Sequence, residues 1–212
     1  MNRDRLRTVW TLSRCSSRDN STTPASLPLN IRHFCIALGF QSAYVLAPGA
    51  IVFEHGVGSG RVDLWALPLD VVIEVKYRRP IPSGRNLPAT QIFGRLLDDF
   101  NKVAPVEVQH HLVIYVSDEQ GINYLNRFGR GVHPLEPGQS RRISPAVVER
   151  LPKTAATNAV LDGPWTPLET TLVWEKALRP WQLLAWEITP VADDDLDHHS
   201  GRVAMWPVSP RG

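Results

Sequence analysis

Short apolar runs separated by turn residues predict an α/β fold in the first two thirds of the chain. The predicted strands are short runs rich in Val and Ile, over residues 50–54, 61–65, 71–77 and 111–116. The predicted helices carry apolar residues at helical spacing, over residues 30–38, 91–103 and 117–128, the last opening on a capping box of Ser117 and Gln120. The order is therefore helix, three antiparallel strands, helix, strand, helix.

Charged residues interrupt two of these apolar runs. Asp63 lies in the second predicted strand, and Glu74 and Lys76 lie two residues apart in the third. Residues two apart in a strand share a face, so Glu74 and Lys76 point to one side with Val72. Charged side chains are rarely buried without a partner, and three of them on two neighbouring strands indicate a metal site with a catalytic lysine. The alternative is a surface salt-bridge ladder on a half-exposed sheet.

The same alternation along the two strands predicts which face each of the other side chains occupies. In the third strand Val71, Ile73, Val75 and Tyr77 are expected on the face opposite Glu74. In the second strand Arg61, Asp63 and Trp65 are expected on one face, with Val62 and Leu64 on the other.

The turn around Leu67 to Asp70 sets the register between these strands, because Pro68 cannot continue a ladder. If Ala66 pairs with Val71, Asp63 falls directly opposite Glu74. Like charges at such positions repel, and a divalent cation would convert that repulsion into a binding site.

A third acid can extend this arrangement. If Gly56 pairs with Arg61 across the glycine-rich turn, Glu54 falls opposite Asp63. One interpretation is then a row of Glu54, Asp63 and Glu74 across three strands, with Lys76 alongside. The other is that Glu54 is only a charge at the end of a strand.

Composition narrows the class of protein. The 212 residues, 43% of them hydrophobic, suffice for one domain with a sizeable core. The formal net charge of +2 gives no global argument for nucleic acid, so any electrostatic argument must be local. The two cysteines predict neither a disulfide framework nor a zinc site, which favours a reducing, cytoplasmic location. No apolar run approaches the roughly 20 residues of a membrane span, so we expect no membrane association.

The motif of Val62-Asp63 followed by Glu74-Val75-Lys76, inside this order of elements, resembles the PD-(D/E)XK nuclease superfamily. The resemblance covers about residues 29–128 and implies a restriction-endonuclease-like core. Val62 stands where the family motif has proline. The composition of residues 1–26, rich in Arg, Ser and Thr, predicts a disordered or loosely ordered tail. The resemblance implies a nuclease core over 27–130, and residues 131–212 are expected to form a Trp-rich extension that packs on the core or forms an interface.

The resemblance implies hydrolysis of phosphodiester bonds with Mg²⁺, for which Mn²⁺ can substitute. Asp63, Glu74 and Val75 would hold the metal, and Lys76 would position the attacking water or help to deprotonate it. Crowding by the metal and by apolar strands can lower the pKa of such a lysine toward neutrality.

Further residues take second-rank roles by the same resemblance. Glu54 resembles an additional acid, and Gln91 opens the helix that follows the motif. Basic side chains near the motif are candidate contacts to nucleic-acid phosphates: Arg61, Arg78, Arg79, Arg85 and Arg95. For Gln91 and Arg95 a solvated helix face is an equal alternative.

The C-terminal third is harder to assign. Residues 172–174 predict a strand, whereas 181–188 fit a strand or a short helix. The tryptophans there are expected in a core or a dimer interface rather than stacked on bases: Trp165, Trp174, Trp181, Trp186 and Trp206.

The sequence therefore predicts a nuclease, preferably an endonuclease acting on DNA. Such an activity is compatible with a homodimer or a larger nucleoprotein assembly. Two alternatives stay open. One is a non-catalytic nucleic-acid-binding or assembly subunit that retains the fold. The weaker one is a nucleotide-binding protein that uses the glycine turn over residues 56–60.

Overall fold

The computed structural model describes residues 46–47, 49–57, 60–78, 89–129, 131–161, 163–178 and 181–191. The helix predicted over residues 30–38, the two arginines Arg79 and Arg85, and Trp206 lie outside these ranges.

The described chain is of the mixed α/β class, in agreement with the predicted class. Its strands are β1 (Ile51–Val57), β2 (Gly60–Ala66), β3 (Val71–Tyr77), β4 (His110–Asp118), β5 (Ser140–Ile143), β6 (Leu168–Leu178) and β7 (Trp181–Pro190). Its α-helices are α1 (Ala89–Val103), α2 (Glu119–Gly129), α3 (Pro145–Glu149) and α4 (Lys153–Asn158), and Leu67–Leu69 forms a single 3-10 turn. The predicted order of three strands, helix, strand, helix is therefore present from β1 to α2.

The strands form one seven-stranded sheet in the order β1-β2-β3-β4-β7-β6-β5. Neighbouring strands are antiparallel except for β3 and β4, which run parallel. Parallel neighbours need a crossover connection, and α1 supplies its helical part. Because α1 runs back from the end of β3 to the start of β4, its residues pass the residues of β3 in reverse order.

Both faces of the sheet are buried. One face packs against α1, α2 and α4 through a cluster that includes Val72, Phe100, Tyr115 and Trp186. The opposite face carries a second cluster that includes Val71, Ile73 and Val75, with Tyr77 packed against it. The predicted alternation of β3 is therefore confirmed, and Glu74 and Lys76 share the helix-facing side with Val72.

The expectation that Val62 and Leu64 share a face is wrong. Val62 packs in the helix-facing cluster, whereas Leu64 packs in the cluster on the opposite face. The strand is irregular between them, because the pairing of β1 with β2 skips Asp63 and the opposing residue Glu54, whose φ is 46°. A left-handed residue turns the backbone and breaks strict alternation.

The predicted cap of α2 is also wrong. The strand β4 continues through Ser117, and the side chain that caps the helix belongs to Asp118, whose Oδ1 accepts a hydrogen bond from the Gly121 amide at 2.9 Å. Ser117 is fully buried instead. The cap and the amide that it serves both lie one residue further along the chain than predicted, with Asp118 and Gly121 in place of Ser117 and Gln120.

The C-terminal third contributes three strands to the same sheet, and β7 lies directly beside β4. Residues 181–188 are therefore strand and not helix. The four described tryptophans of this region, Trp165, Trp174, Trp181 and Trp186, are all at least nine-tenths buried, which fits a role in the core.

Candidate functional site

The turn between β2 and β3 brings Asp63 and Glu74 together. Ala66 pairs with Val71 and Leu64 with Ile73, as predicted, so the next position in this register sets Asp63 opposite Glu74. The backbone ladder ends at that point, and Asp63 Oδ2 accepts a hydrogen bond from the Val75 amide at 2.7 Å. A side-chain carboxylate thus replaces a ladder bond, which fixes Asp63 beside β3.

Glu74 is buried and pairs with a lysine from the helix. Lys102 Nζ lies 2.8 Å from Glu74 Oε1, and the two side chains are 18% and 8% exposed. The other oxygen, Glu74 Oε2, is buried and has no hydrogen-bond partner among the described residues. One half of this carboxylate is therefore neutralised, and the other half has unused acceptor capacity.

Lys76 pairs with a second acid on the same helix. Its Nζ lies 2.9 Å from Asp99 Oδ1, and the side chains are 37% and 8% exposed. Asp99 Oδ2 is also buried without a hydrogen-bond partner in the described part of the chain. We call Asp63, Glu74, Lys76, Asp99 and Lys102 the acid–lysine cluster.

Burial and crowding shift the protonation equilibria in this cluster. Burial raises the pKa of Glu74, the neighbouring Asp63 raises it further, and Lys102 and Lys76 offset part of the rise. Burial likewise raises the pKa of Asp99 to about 7, against the opposing effect of Lys76. Two buried carboxyl groups therefore hold their protons more tightly than acids in water do.

The groups of the chain itself shift the pKa of Lys76 upward, whereas the predicted lowering referred to a lysine beside a bound metal. Burial by itself does lower the pKa of this lysine, but the surrounding carboxyl groups of Asp99, Glu74 and Asp63 together raise it above its ordinary value. Lys76 is accordingly a cation at neutral pH. It can donate hydrogen bonds, and it is poorly suited to take a proton from water.

The helix residues of this cluster, Asp99 and Lys102, are absent from the sequence-based site. They follow Gln91 and Arg95 at helical spacing, at intervals of four, four and three residues, and therefore share a helix face with them. That spacing is the sequence feature that could have identified Asp99 and Lys102. Because α1 runs antiparallel to β3, Asp99 meets Lys76 and Lys102 meets Glu74, whereas Gln91 and Arg95 lie toward the end of β3.

Gln91 and Arg95 take no part in the acid–lysine cluster. Gln91 is half-buried and Arg95 is exposed. Gln91 precedes Asp99 by eight residues, which is about 12 Å along a helix. Arg95 precedes it by one turn and is open to solvent.

Glu54 is placed apart from the cluster as well. Gly56 pairs with Arg61, as predicted, and the register sets Glu54 opposite Asp63. The side chain of Glu54 is nevertheless 65% exposed and lies 3.7 Å from the Arg61 guanidinium, itself 73% exposed. The row of three acids is therefore reduced to the pair Asp63 and Glu74, and Arg61 and Glu54 form a surface ion pair.

Arg78 differs from the other candidate phosphate contacts because it is buried, with 8% of its surface exposed. Its amide continues the pairing of β3 with β4 by donating to the Val116 carbonyl at 2.9 Å. The guanidinium lies 5.2 Å from the centre of the Tyr124 ring on α2.

The donor set of the cluster suits a hard cation, although no group of three or more His, Cys, Asp or Glu side chains forms a metal site within the described ranges. Mg²⁺ is commonly held by one or two carboxylates and several waters, so two carboxylates suffice. Asp63 and Glu74 repel each other, and the buried Glu74 Oε2 has no hydrogen-bond partner among the described residues. A cation at this position would relieve both costs.

Comparison with known proteins adds no assignment. No protein-family model, no curated protein and no solved structure matches this chain. Among the described helices, none combines the length and the apolar character that crossing a bilayer requires.

Proposed function

We propose that this chain is a Mg²⁺-dependent nuclease with a restriction-endonuclease-like core, preferably an endonuclease acting on DNA. The observation that carries the proposal is the acid–lysine cluster itself. A carboxylate pair on β2 and β3 shares one buried face with a protonated lysine, and one carboxylate oxygen there lacks a hydrogen-bond partner among the described residues.

The surrounding elements support the same proposal. Three antiparallel strands are followed by a helix, a strand parallel to the third, and another helix. The acid pair and the lysine lie on β2 and β3, on the face that α1 covers. This arrangement agrees with the core that the motif of Asp63, Glu74 and Lys76 implies.

Asp63, Glu74 and the main-chain carbonyl of Val75 would hold Mg²⁺, since a valine offers no other oxygen ligand. When bound, the metal would lower the pKa of a coordinated water and offset charge that develops on the phosphate. Mn²⁺ would be accepted by the same oxygen ligands.

Lys76 acts as a hydrogen-bond donor in this proposal. Its side chain is 37% exposed, and in this proposal the ammonium reaches a phosphate oxygen or the attacking water while Asp99 holds the other side of it. A fixed cation next to the reacting phosphate stabilises negative charge in the transition state. Asp99 therefore positions Lys76, and Lys102 balances the negative charge of Glu74.

Cleavage of supercoiled plasmid and of linear single- and double-stranded DNA, with Mg²⁺ or with EDTA, tests the proposal. We expect cutting that requires the metal, and a loss of about 100-fold or more in Lys76→Ala. Lys153→Ala is the matched control, because Lys153 is an exposed lysine on α4. Thermal unfolding of each variant separates a lost activity from a lost fold.

Two results would contradict the nuclease proposal. One is a folded wild-type protein that cuts no DNA or RNA substrate with Mg²⁺ or Mn²⁺. The other is Lys76→Ala cleaving as fast as wild type. Product lengths would further separate endonuclease from exonuclease activity, and a concentration-dependent rate would indicate that a homodimer makes the double-strand cut.

The second candidate function is a non-catalytic nucleic-acid-binding or assembly subunit. The observation that favours it is the pairing of Lys102 with Glu74, because a lysine supplies the positive charge that a metal would otherwise provide. Isothermal titration of the nucleic-acid-free protein with Mg²⁺ distinguishes the two functions. Metal binding that is lost in Glu74→Gln supports the nuclease, and absence of binding supports the subunit.

A further inference from the structure

A second group of buried polar atoms lies at the end of β3, beyond the acid–lysine cluster on the same face of the sheet. Its residues are Arg78, Tyr115, Ser117, Tyr124 and Gln182, which we call the Arg78 cluster. Lys76 pairs with Tyr115 across β3 and β4, and Ser117 pairs with Gln182 across β4 and β7. Arg78 follows two residues after Lys76, roughly 6.6 Å further along the strand.

These residues have unused hydrogen-bonding capacity. All three guanidinium nitrogens of Arg78 are buried and have no hydrogen-bond partner among the described residues. The Tyr115 hydroxyl, Ser117 Oγ and Gln182 Oε1 are also buried and make no short hydrogen bond among the described residues. Ser117 and Arg78 nevertheless lie close enough to the Tyr115 hydroxyl for longer hydrogen bonds that lower the pKa of this phenol. No ion pair to Arg78 occurs within the described part of the chain, although buried cations are normally paired with an acid.

The packing around Arg78 holds the guanidinium in place. Tyr124 stacks on it from α2. Gly121 on the same helix leaves no room for a side chain, since an added Cβ would collide with Ser117 Oγ and meet a terminal nitrogen of Arg78 at 3.0 Å. The charge of Arg78 is also close enough to Tyr115 to counter part of the rise that burial causes in the pKa of that phenol.

We propose that Arg78, Tyr115 and Ser117 form an oxyanion subsite for a phosphate group of the bound nucleic-acid strand, an inference that rests on the proposed nuclease function. A guanidinium offers a planar set of donors that matches a phosphate, and two hydroxyl groups add further donors. The subsite lies about two strand residues from Lys76, a distance that one nucleotide of an extended strand spans. It would therefore hold a phosphate next to the one that is cleaved.

Two binding measurements in EDTA test the subsite without any cleavage. The first is thermal unfolding in phosphate and in chloride at equal ionic strength, for wild type, Arg78→Met and the matched control Arg127→Met. Arg127 is an exposed arginine of α2 outside both clusters. The second is the fluorescence anisotropy of a labelled single-stranded oligonucleotide with the same three proteins.

We expect phosphate at ten times its Kd to raise the unfolding temperature of wild type and Arg127→Met by about 3 °C. Arg78→Met should lose this shift and bind the oligonucleotide about tenfold more weakly. In chloride Arg78→Met should unfold at the same temperature as wild type or higher, because an unpaired buried cation has been removed. Arg78→Lys keeps the charge but not the planar donors, and should lose at least half of the phosphate shift.

The outcomes distinguish a phosphate of the strand from free phosphate, and they test the subsite separately from the nuclease function. Oligonucleotide binding that is unchanged in Arg78→Met overturns the subsite as a strand contact, and a phosphate shift lost in that variant would then assign it to free phosphate. A phosphate shift equal in Arg78→Met and wild type overturns it altogether. Failure of DNA cleavage with these binding results intact would contradict the nuclease alone.

Discussion

Two buried clusters include residues of the helix α1, and they accommodate polar atoms in opposite ways. The acid–lysine cluster contacts α1 through Asp99 and Lys102 and keeps its polar groups as ion pairs. The other, which we call the aromatic cluster, consists of Phe93, Phe100, His133 and Trp186. Its polar groups are neutral, and two of their nitrogens, His133 Nδ1 and Trp186 Nε1, bond to a backbone carbonyl.

His133 is an example of a polar group that is buried in its neutral form. Burial lowers the pKa of its imidazole to about 4, and its Nδ1 lies 3.0 Å from the Pro134 carbonyl. The same carbonyl accepts a hydrogen bond from Trp186 Nε1 at 3.2 Å. A neutral ring costs far less to bury than a charge. The comparison teaches that the aromatic cluster buries neutral groups at little electrostatic cost, whereas the acid–lysine cluster buries charges at a larger one.

The largest effect on stability is expected in the aromatic cluster. Trp186→Ala should lower the free energy of unfolding by about 3–5 kcal/mol, because it removes a fully buried ring from contact with Phe100 and His133. Urea unfolding above pH 6.5, where His133 is neutral in both states, measures the loss. A loss below about 1 kcal/mol would mean that this cluster does not carry the stability assigned to it.

In the acid–lysine cluster, Lys102→Met should cost about 3 kcal/mol at neutral pH, because it leaves Glu74 as a buried carboxylate without its partner. The pKa of Glu74 is already raised and would rise further without Lys102. The cost should therefore shrink as the pH falls and Glu74 becomes protonated. Lys153→Met, at an exposed site, is the control and should change stability by less than about 0.5 kcal/mol. A cost for Lys102→Met that does not change with pH would contradict the ionic account.

Asp99→Asn should remove part of the pH dependence of the unfolding free energy. In the folded protein Asp99 keeps its proton up to a pKa of about 7, whereas an unfolded aspartic acid loses it near 3.8. The unfolded state therefore binds fewer protons between these values, so this group makes wild-type stability fall as the pH rises from about 3.8 to about 7.

The difference in unfolding free energy between wild type and Asp99→Asn isolates this contribution, because the opposite slope that His133 causes is present in both proteins. The difference should move in favour of the variant as the pH rises through that window. A constant difference would contradict the raised pKa of Asp99.

The smallest effect is expected at the edge of the sheet. Glu54→Gln removes one partner of an exposed ion pair at 3.7 Å, and it should change stability by less than about 0.5 kcal/mol. If the proposed nuclease function is correct, cleavage should stay within about twofold of wild type, because the side chain is exposed and pairs with Arg61. A loss comparable to that of Lys76→Ala would restore Glu54 to the site.

The strands and registers around the site could be predicted because the relevant information is local. Pro68 and Asp70 mark the turn, and the apolar runs on either side fix the pairing of Ala66 with Val71. The partners of Glu74 and Lys76 could not be predicted, because they depend on how far α1 is shifted along β3 in three dimensions. The helix spacing of Asp99 and Lys102 indicates a shared face but not what that face contacts.

In the C-terminal third the strand predicted over residues 172–174 lies within β6, whereas β7 could not be distinguished from a helix. The run over residues 181–188 is apolar except at Gln182 and Glu187, because β7 lies inside the sheet with both faces covered. Such a run lacks the alternation that distinguishes a strand from a buried helix. The break in alternation at Asp63 was equally invisible, since it depends on the left-handed backbone of Glu54 across the ladder.

The position of β7 between β4 and β6 has a consequence for how the chain is made. While a ribosome synthesises residues 119–180, roughly 3–12 s at ordinary translation rates, β7 has not yet been made, so one edge of β4 lacks the strand that covers it in the folded sheet. That edge belongs to the most buried strand of the site, and an open apolar edge is a template for pairing with another chain. An unpaired edge of β4 would favour aggregation of the nascent chain during that interval, and a chaperone that covers the edge would act in the same interval.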